Sequence, residues 1–224
     1  MKATPKMLVS ALVEPVVFGL LLFLAAGTFD YWQAWVFLAV YALLTWIPGI
    51  YLLRTNPAAL QRRMRGGPAA ETRVMQKAVM AGLWLSLAAM LVTSALDHRF
   101  RWSQVPTEIC VAGDALVIAG LGVGVLVVLQ NSYAAATVRV ESGQELASTG
   151  LYGLVRHPMY AGTVIMMVGI PLALGSYWGL VVVIAGPVVL ALRICDEEKL
   201  LQDELEGYRE YSQKVRYRLV PHVW

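Results

Sequence analysis

The polar residues whose types and spacing suggest chemistry fall in two stretches near the carboxyl terminus. The first contains Arg156-His157-Pro158-Met159-Tyr160. Because proline suits the first turn of a helix, His157 is predicted at the helix cap, where free N–H groups and the helix dipole favour a negative group. Tyr160, nearly one turn on, offers that group a ring and a hydroxyl. The alternative is an interfacial role, with Arg156 a headgroup anchor, His157 a cap and Tyr160 a membrane-surface aromatic.

The second stretch begins with the adjacent acids Glu197 and Glu198, which directly follow a long apolar run. Two acids beside a membrane surface are costly unless cationic or hydroxyl groups compensate them. A ribose diol, a sulfonium or Arg156 could do so. Apolar and aromatic residues then recur at helical spacing and predict a short amphipathic helix: Leu201, Leu205, Tyr208 and Tyr211. The alternative is a solvated acidic turn followed by an interfacial helix.

Both stretches lie in a chain of unusually apolar composition. Of its 224 residues, 58% are hydrophobic and 15% are charged, and the mean hydropathy is +0.61. Soluble domains carry about 25% charged residues. The composition therefore indicates an integral membrane protein and excludes a disordered chain, a collagen-like fibre and an ordinary soluble enzyme. The two cysteines, Cys110 and Cys195, have no zinc-site spacing and are predicted at opposite membrane faces, too far apart for a disulfide.

The apolar runs predict the elements that position the two motifs. A membrane helix needs about 20 mostly apolar residues, and four runs meet that length: 7–28, 32–53, 78–96 and 107–129. The run 158–194 is too long for one crossing, and Gly175-Ser176-Tyr177 predicts a tight turn midway. We therefore predict an all-α polytopic bundle of about six transmembrane helices with a short cytoplasmic carboxyl-terminal helix. A re-entrant hairpin in place of the last two crossings is the alternative.

The basic residues support an even number of crossings. With the amino end inside, cytoplasmic segments carry sixteen of the 18 Lys and Arg, and outer segments carry only Arg99 and Arg101. This asymmetry follows the positive-inside rule and places both chain ends in the cytoplasm. Membrane topology thus explains the net charge of +3, and no nucleic-acid partner is expected. The connection 54–73 is predicted to be a surface loop that touches anionic headgroups, or else a plain topology anchor.

The chain is predicted to form a single domain, 1–224. Residues 1–129 supply four helices, and residues 130–224 hold both polar motifs. Since the motifs flank the last hairpin, they meet at one membrane face, where a water-soluble cofactor could reach a lipid-soluble substrate. Gly120, Gly122 and Gly124 lie within an apolar run and predict close helix packing rather than a dinucleotide loop.

Several short motifs together resemble the isoprenylcysteine carboxyl methyltransferase family and the broader group that includes the phospholipid N-methyltransferases. The likeness covers about 130–224, and these motifs carry it: Gly150-Leu151-Tyr152, Val155-Arg156-His157-Pro158-Met159-Tyr160-Ala161-Gly162, Glu197-Glu198, Tyr208-x-x-Tyr211, Arg216 and Pro221. The sequence departs from the family pattern at Leu151, where proline is usual. It also departs at Leu205-Glu206-Gly207-Tyr208, which is one residue shorter than the usual approach to the tyrosine pair.

The resemblance implies a membrane enzyme that uses S-adenosylmethionine, without a metal, to methylate a lipophilic or prenylated substrate, most simply at a carboxylate. It implies that the cofactor is held in a cytoplasmic pocket by these residues: Tyr152, Arg156, His157, Pro158, Tyr160, Glu197, Glu198, Tyr208 and Tyr211. It makes Arg216 the candidate for the basic residue that faces the substrate. The chemistry of methyl transfer gives the catalytic roles: a carboxylate acceptor needs a counter-charge, which Arg216 could supply, and an amine or alcohol acceptor needs a base, for which Glu198 or His157 is a candidate. Arg218 and Arg193 are alternatives for the counter-charge.

Two other functions remain open. Membrane sterol and steroid reductases share a related Arg-His-Pro-x-Tyr-x-Gly stretch but use NADPH. Those reductases tend to carry an acid after the glycine, whereas Thr163 follows Gly162 here. A non-enzymatic adaptor or carrier is the second alternative. A carrier should bury polar residues near the middle of the membrane, whereas the polar residues of this chain concentrate at one predicted face.

Overall fold

The computed structural model describes residues 4–64, 73–134, 140 and 143–224. Every regular element in these ranges is helical: α1 Thr4–Ala26, α2 Trp32–Thr55, α3 Pro57–Met64, α4 Val74–Phe100, α5 Thr107–Gln130, a 3₁₀ turn Gly150–Gly153, α6 Pro158–Ala173, α7 Trp178–Val183, α8 Ala185–Glu204 and α9 Tyr208–Lys214. The all-α prediction is confirmed for this part of the chain. Three of the basic residues that entered the topology prediction lie outside the described residues: Lys2, Arg65 and Arg139.

Four helices are long and apolar enough to cross a membrane. They are α2, α4, α5 and the run Trp178–Glu204, in which α7 and α8 follow each other with only Ile184 between them. The apolar helices Leu12–Ala26 and α6 are shorter. A helix rises about 1.5 Å per residue, so the 16 residues of α6 span roughly 24 Å, less than the ~30 Å of a bilayer core. The membrane bundle is therefore confirmed, and the count of six crossings stays a prediction.

The predicted hairpin turn lies where the sequence placed it. Helix α6 ends at Ala173, and α7 begins at Trp178. Gly175 between them has φ +71°, a left-handed conformation that glycine adopts without steric cost. The Tyr31 hydroxyl donates a hydrogen bond of 2.6 Å to the Leu174 carbonyl and so attaches the turn to the start of α2. The hairpin returns the chain to the end of the bundle where α6 began.

Small residues allow α5 and α6 to pack backbone against backbone. A Cβ atom built on Gly120 would lie 2.5 Å from the Gly162 carbonyl oxygen, and one on Gly162 would lie 2.7 Å from the Gly120 oxygen. The packing prediction is thus confirmed for Gly120. It is wrong for Gly122 and Gly124, where nothing lies within 4 Å of an added Cβ. The close contact fixes the first turns of α6 beside the last turns of α5.

The connection after α2 is more ordered than predicted. Residues predicted to form a surface loop contain helix α3, which follows α2 after the single residue Asn56. The Asn56 side-chain oxygen accepts a hydrogen bond of 3.1 Å from the Ala59 N–H and so caps the new helix. Ala59 and Leu60 are buried in a small apolar cluster with Leu52 and Val128. The rest of the predicted loop, 65–72, lies outside the described residues.

The carboxyl-terminal segment breaks where one amphipathic helix was predicted. Helix α8 ends at Glu204, and α9 starts at Tyr208. Gly207 between them has φ +78°, which interrupts the helix. Leu201 therefore lies on α8, whereas Tyr208 and Tyr211 lie on α9. The prediction of a short carboxyl-terminal helix is confirmed, but it is separate from the end of α8.

Candidate functional site

The first motif forms the start of α6, as its proline predicts. His157 is the N-cap and Pro158 the first helical residue. The residues before the helix pair with the carboxyl-terminal tail, since the Arg156 and His157 N–H groups each donate a hydrogen bond of 2.9 Å, to the Tyr217 and Arg218 carbonyl oxygens respectively. The tail thus folds back and lies against the first motif.

Glu198 joins three parts of the site through cationic donors. Its carboxylate is 5% exposed and accepts hydrogen bonds from Arg156 Nε at 2.6 Å and Arg218 Nε at 2.8 Å. His157 Nε2 lies 3.2 Å from the same oxygen that Arg156 contacts. A buried carboxylate is tolerated only when its lone pairs are satisfied in this way. Glu198 therefore locks α8, the start of α6 and the tail together.

Arg156 extends this lock into the tail backbone. The side chain is 7% exposed, and its Nη1 donates to the carbonyl oxygens of Val215 at 2.9 Å and Arg216 at 2.8 Å. Since a guanidinium offers five N–H donors in a fixed fork, one buried arginine can hold a carboxylate and two carbonyls at once. The arrangement fixes the position of the tail relative to α6.

Glu197, one residue earlier on α8, has different partners. The Tyr160 hydroxyl donates a hydrogen bond of 2.6 Å to Glu197 Oε2, and it accepts one of 2.8 Å from Arg193 Nε. Arg193 is 2% exposed and lies one turn before Glu197. A buried cation thus orients Tyr160, and Tyr160 orients the acid. Unlike Glu198, Glu197 is half-buried.

The two motifs share an open cavity with about 800 Å³ of empty space, its mouth included. Side chains from the α5 end, the segment before α6, and helices α6, α8 and α9 line it: Asn131, Tyr133, Ala134, Gln144, Glu145, Leu146, Ala147, Tyr152, Arg156, His157, Pro158, Met159, Tyr160, Glu197, Leu201, Leu205, Tyr208 and Tyr211. The fold therefore brings the two polar stretches into one hollow, as the hairpin predicts.

Three tyrosines form one side of the cavity. Tyr211 donates a hydrogen bond of 2.7 Å to the Tyr152 carbonyl oxygen, and Asn131 Nδ2 donates one of 3.2 Å to the Tyr152 hydroxyl. The Tyr208 hydroxyl is buried, and none of the described residues hydrogen-bonds to it. Burial raises the pKa values of Tyr208 and Tyr211 well above the ordinary value of 10, so both hydroxyls stay protonated. A buried donor without a partner is unusual and points to a bound ligand or water.

The structure separates the residues predicted at the site into two groups. Most of them line the cavity: Tyr152, Arg156, His157, Pro158, Tyr160, Glu197, Tyr208 and Tyr211. Glu198 lies behind the wall, in the ion network. The Arg216 side chain is exposed and does not line the cavity, although its carbonyl oxygen binds Arg156. Arg218, the alternative to Arg216, is the arginine that contacts Glu198.

Sequence reasoning missed part of the lining. Asn131 and Tyr133 follow α5 directly, and Gln144 and Glu145 precede the 3₁₀ turn. The sequence did carry a signal that these residues belong to the site, because they fall in the polar stretch between the fourth apolar run and the first motif. Nothing in their spacing matched a known pattern, however.

The chemistry of the cavity suits a cationic organic ligand that also carries hydrogen-bonding groups. Glu197 supplies negative charge, the tyrosine rings can attract a cation by their faces, and the Tyr208 hydroxyl can donate or accept a hydrogen bond. Among the residues that the structure describes, no three His, Cys, Asp or Glu side chains lie together as metal ligands.

Comparison with known proteins yields two relevant matches. Residues 109–206 match the model of the phospholipid methyltransferase family. The Delta(14)-sterol reductase TM7SF2 of Mus musculus is 32% identical over 91 residues, which cover 39% of this chain and only 22% of the reductase. The family match includes all but the first two residues of α5, the first motif, the hairpin and the acid pair. The resemblance to the phospholipid methyltransferases is thus confirmed for residues 130–206, where the motif likeness and the family match overlap. The motifs Tyr208-x-x-Tyr211, Arg216 and Pro221 lie beyond the matched residues.

Proposed function

We propose that this protein transfers a methyl group from S-adenosylmethionine to a lipophilic acceptor at the cytoplasmic face of a membrane. One observation carries the proposal: the first motif and Glu197, which both lie in the family-matching segment, line a single cavity together with Tyr208. The Glu197 carboxylate is oriented by Tyr160, and the buried Tyr208 hydroxyl has no hydrogen-bond partner among the described residues. The acceptor class that fits best is a carboxylate on a prenylated or lipid-like molecule, as in the isoprenylcysteine methyltransferases.

The residues present fit this cofactor. Glu197 can accept hydrogen bonds from a ribose diol or compensate a positive charge, and Tyr208 offers the missing partner for one polar group. The aromatic faces of Tyr152 and Tyr211 can hold a flat base or attract a sulfonium. Glu198 takes part indirectly, because its ion pairs set the positions of His157 and the tail.

S-adenosylmethionine supplies a methyl group that is already activated by the neighbouring sulfonium. The protein therefore has to orient the acceptor and exclude water, and orientation can contribute about 7–11 kcal/mol. Apolar side chains such as Met159, Leu201 and Leu205 line the cavity beside its polar wall and can exclude water from it.

The paired state of Glu198 favours an acceptor that needs no base. A general base must be within reach of the proton that it removes. Glu198 lies outside the cavity lining and accepts hydrogen bonds from two arginines, and His157 Nε2 faces Glu198. A carboxylate acceptor is already nucleophilic and requires only a counter-charge. This argument supports a carboxylate over an amine or alcohol.

The test is incubation of the purified protein with methyl-labelled S-adenosylmethionine and three acceptor pools: a total lipid extract, prenylated cysteine peptides and small organic acids. We expect label in a lipophilic product, and we expect Glu197→Gln to reduce it strongly. Glu206→Gln is the matched control, since Glu206 is exposed on the connection between α8 and α9. Absence of label from all three pools would contradict the proposal.

A second candidate function is reduction of a sterol-like substrate with NADPH. The partial match to a Delta(14)-sterol reductase is the observation that favours it. Both functions predict an amphiphilic substrate and an adenosine-containing cofactor, but they differ in which cofactor binds. Direct titration of the two cofactors therefore separates them.

A further inference from the structure

Three consecutive acids on α8 each contact a different part of the protein. Asp196 contacts the start of α4, Glu197 contacts α6, and Glu198 contacts the segment before α6 and the tail. Neighbouring residues of a helix point about 100° apart, so the three side chains leave α8 in three directions. Glu197 and Glu198 belong to the cavity and to the network behind it, whereas Asp196 contacts an element on another side of α8.

The Asp196 contact is formed by two side chains at the start of α4. Arg73 Nη2 donates a hydrogen bond of 2.7 Å to Asp196 Oδ1, and Gln76 Nε2 donates one to Asp196 Oδ2. Arg73 Nη1 also donates to the Asp196 carbonyl oxygen at 3.5 Å. Both carboxylate oxygens and the backbone of α8 are therefore held at one place.

This contact is largely withdrawn from solvent. Gln76 is fully buried, and the Asp196 side chain is 16% exposed. The Gln76 Oε1 atom has no hydrogen-bond partner among the described residues, so Asp196 is what orients the Gln76 amide. Charge-assisted hydrogen bonds are stronger than neutral ones, and a buried ion pair is screened by salt less than an exposed one. The contact is therefore suited to holding α8 in one orientation.

The contact lies at the end of α4. Arg73 is the N-cap of α4, whereas α8 continues past Asp196 to Glu204. That continuation carries Glu197 and Leu201, which both line the cavity. Because Glu197 directly follows Asp196, a rotation of α8 at Asp196 would move the Glu197 carboxylate relative to the cavity.

We propose that Asp196 is a positioning residue for the cavity: held by Arg73 and Gln76, it sets the rotation of α8 so that Glu197 faces the ligand. This inference rests on the proposed cofactor binding and adds a residue that acts through Glu197 without touching the cofactor. Helix α4 thereby contributes to the site, although none of the described residues that line the cavity belongs to α4.

The affinity test is isothermal titration with S-adenosylmethionine at a temperature where every variant is folded. Asp196→Asn keeps the shape of the side chain and removes its charge, and it should weaken binding roughly fivefold, as expected within one hydrogen-bond network. Arg73→Gln, a milder change at a partly exposed residue, should act in the same direction. The control is Asp203→Asn on the same helix, because Asp203 is 73% exposed and pairs only with the exposed Arg209. It should bind like the wild type.

A double-mutant cycle separates positioning from general stabilisation. Tyr160→Phe releases Glu197 from its other orienting contact. If Asp196 acts through the orientation of Glu197, the loss of affinity in the Asp196→Asn, Tyr160→Phe double variant should be smaller than the product of the two single losses. Unchanged affinity in Asp196→Asn, or losses that multiply fully, would overturn the positioning role.

A spin label on Cys195 tests the position of α8 without any cofactor. Cys195 is exposed and Cys110 is buried, so a thiol reagent selects Cys195. The mobility of the label should rise in Asp196→Asn, because α8 loses a fixed contact, and it should stay unchanged in Asp203→Asn. Equal mobility in both variants and the wild type would overturn the proposal. If the wild type does not bind S-adenosylmethionine, the proposed function fails, while label mobility still decides whether Asp196 fixes α8.

Discussion

The two ends of α6 each lie beside a buried carboxylate, and the two carboxylates are held in different ways. At the amino-terminal end, Glu198 is 5% exposed and contacts the cationic side chains Arg156 and Arg218, as well as the His157 ring. At the other end, Asp97 is 1% exposed and accepts hydrogen bonds from the Ser103 N–H and from two serine hydroxyls. One carboxylate has charged partners and the other has neutral ones.

The partners indicate what each carboxylate does. Asp97 joins the end of α4 to the hairpin turn through Ser176 at 2.6 Å, and it does not line the cavity beside the two motifs. Glu198 joins elements that directly form the cavity wall. Burial of an acid is thus no sign of a ligand site by itself. What distinguishes the amino-terminal end of α6 is that a second acid, Glu197, lines the cavity, while Glu198 lies behind the cavity wall.

The largest effect is expected for Glu198→Ala, which leaves buried cationic groups without their counter-charge. Removing one partner of a buried ion pair lowers the free energy of unfolding by about 3–5 kcal/mol. We expect a large fall in the melting temperature in detergent and loss of S-adenosylmethionine binding. Glu206→Ala should change neither quantity. A normal melting temperature for Glu198→Ala would show that the network does not hold the site together.

Asp97→Ala should destabilise the bundle without changing the cofactor site. It removes the acceptor of the Ser103 N–H and of the Ser176 hydroxyl, and an unsatisfied buried donor costs about 1–3 kcal/mol. Thermal unfolding measures the loss, and cofactor affinity should stay at the wild-type value. Asp30→Ala, at an exposed position, is the control. A weakened cofactor affinity in Asp97→Ala would remove the distinction between the two ends.

Gly120→Ala tests the α5–α6 contact that connects the two ends. An added methyl group would clash with the Gly162 carbonyl oxygen, and overpacking of this kind costs about 1–3 kcal/mol. Gly122→Ala, two residues away, meets nothing and should be neutral or stabilise the helix by roughly 0.5–1 kcal/mol. Melting temperatures of the two variants should therefore move in opposite directions or differ clearly. Equal destabilisation would contradict the packing.

Tyr160→Phe should weaken cofactor binding more selectively than Glu198→Ala does. It removes the hydroxyl between Arg193 and Glu197 but keeps the ring. Because Glu197 then loses its orienting donor, S-adenosylmethionine should bind roughly tenfold more weakly, about 1.4 kcal/mol. Because the buried Arg193 Nε loses its acceptor, the free energy of unfolding should also fall, by about 1–3 kcal/mol. Isothermal titration measures the affinity. Unchanged affinity would place Glu197 outside the binding site.

Much of the fold follows from local sequence signals. Apolar length predicts the long helices, Gly175 predicts the hairpin turn, and the His157-Pro158 pair predicts the start of α6. These features depend on residue type at one place in the chain. The meeting of the two motifs then follows from the hairpin, without knowledge of any individual contact.

The division between Glu197 and Glu198 could not be predicted in this way. Neighbouring residues on a helix point about 100° apart, and only tertiary packing decides which one meets Arg156 and which one meets Tyr160. The sequence also could not predict that Arg218, rather than Arg216, contacts Glu198. The backbone hydrogen bonds between the tail and the start of α6 decide which of the two arginines lies beside Glu198. Helix α3 was missed because its eight residues lack a long apolar run.

The most direct measurement is isothermal titration of the purified full chain in detergent with S-adenosylmethionine and, separately, with NADPH. A cavity formed by both motifs around Glu197 and Tyr208 predicts one-to-one binding of S-adenosylmethionine, its loss in Glu198→Ala, and no heat from NADPH. Binding of NADPH without S-adenosylmethionine would contradict the methyltransferase proposal and favour the reductase.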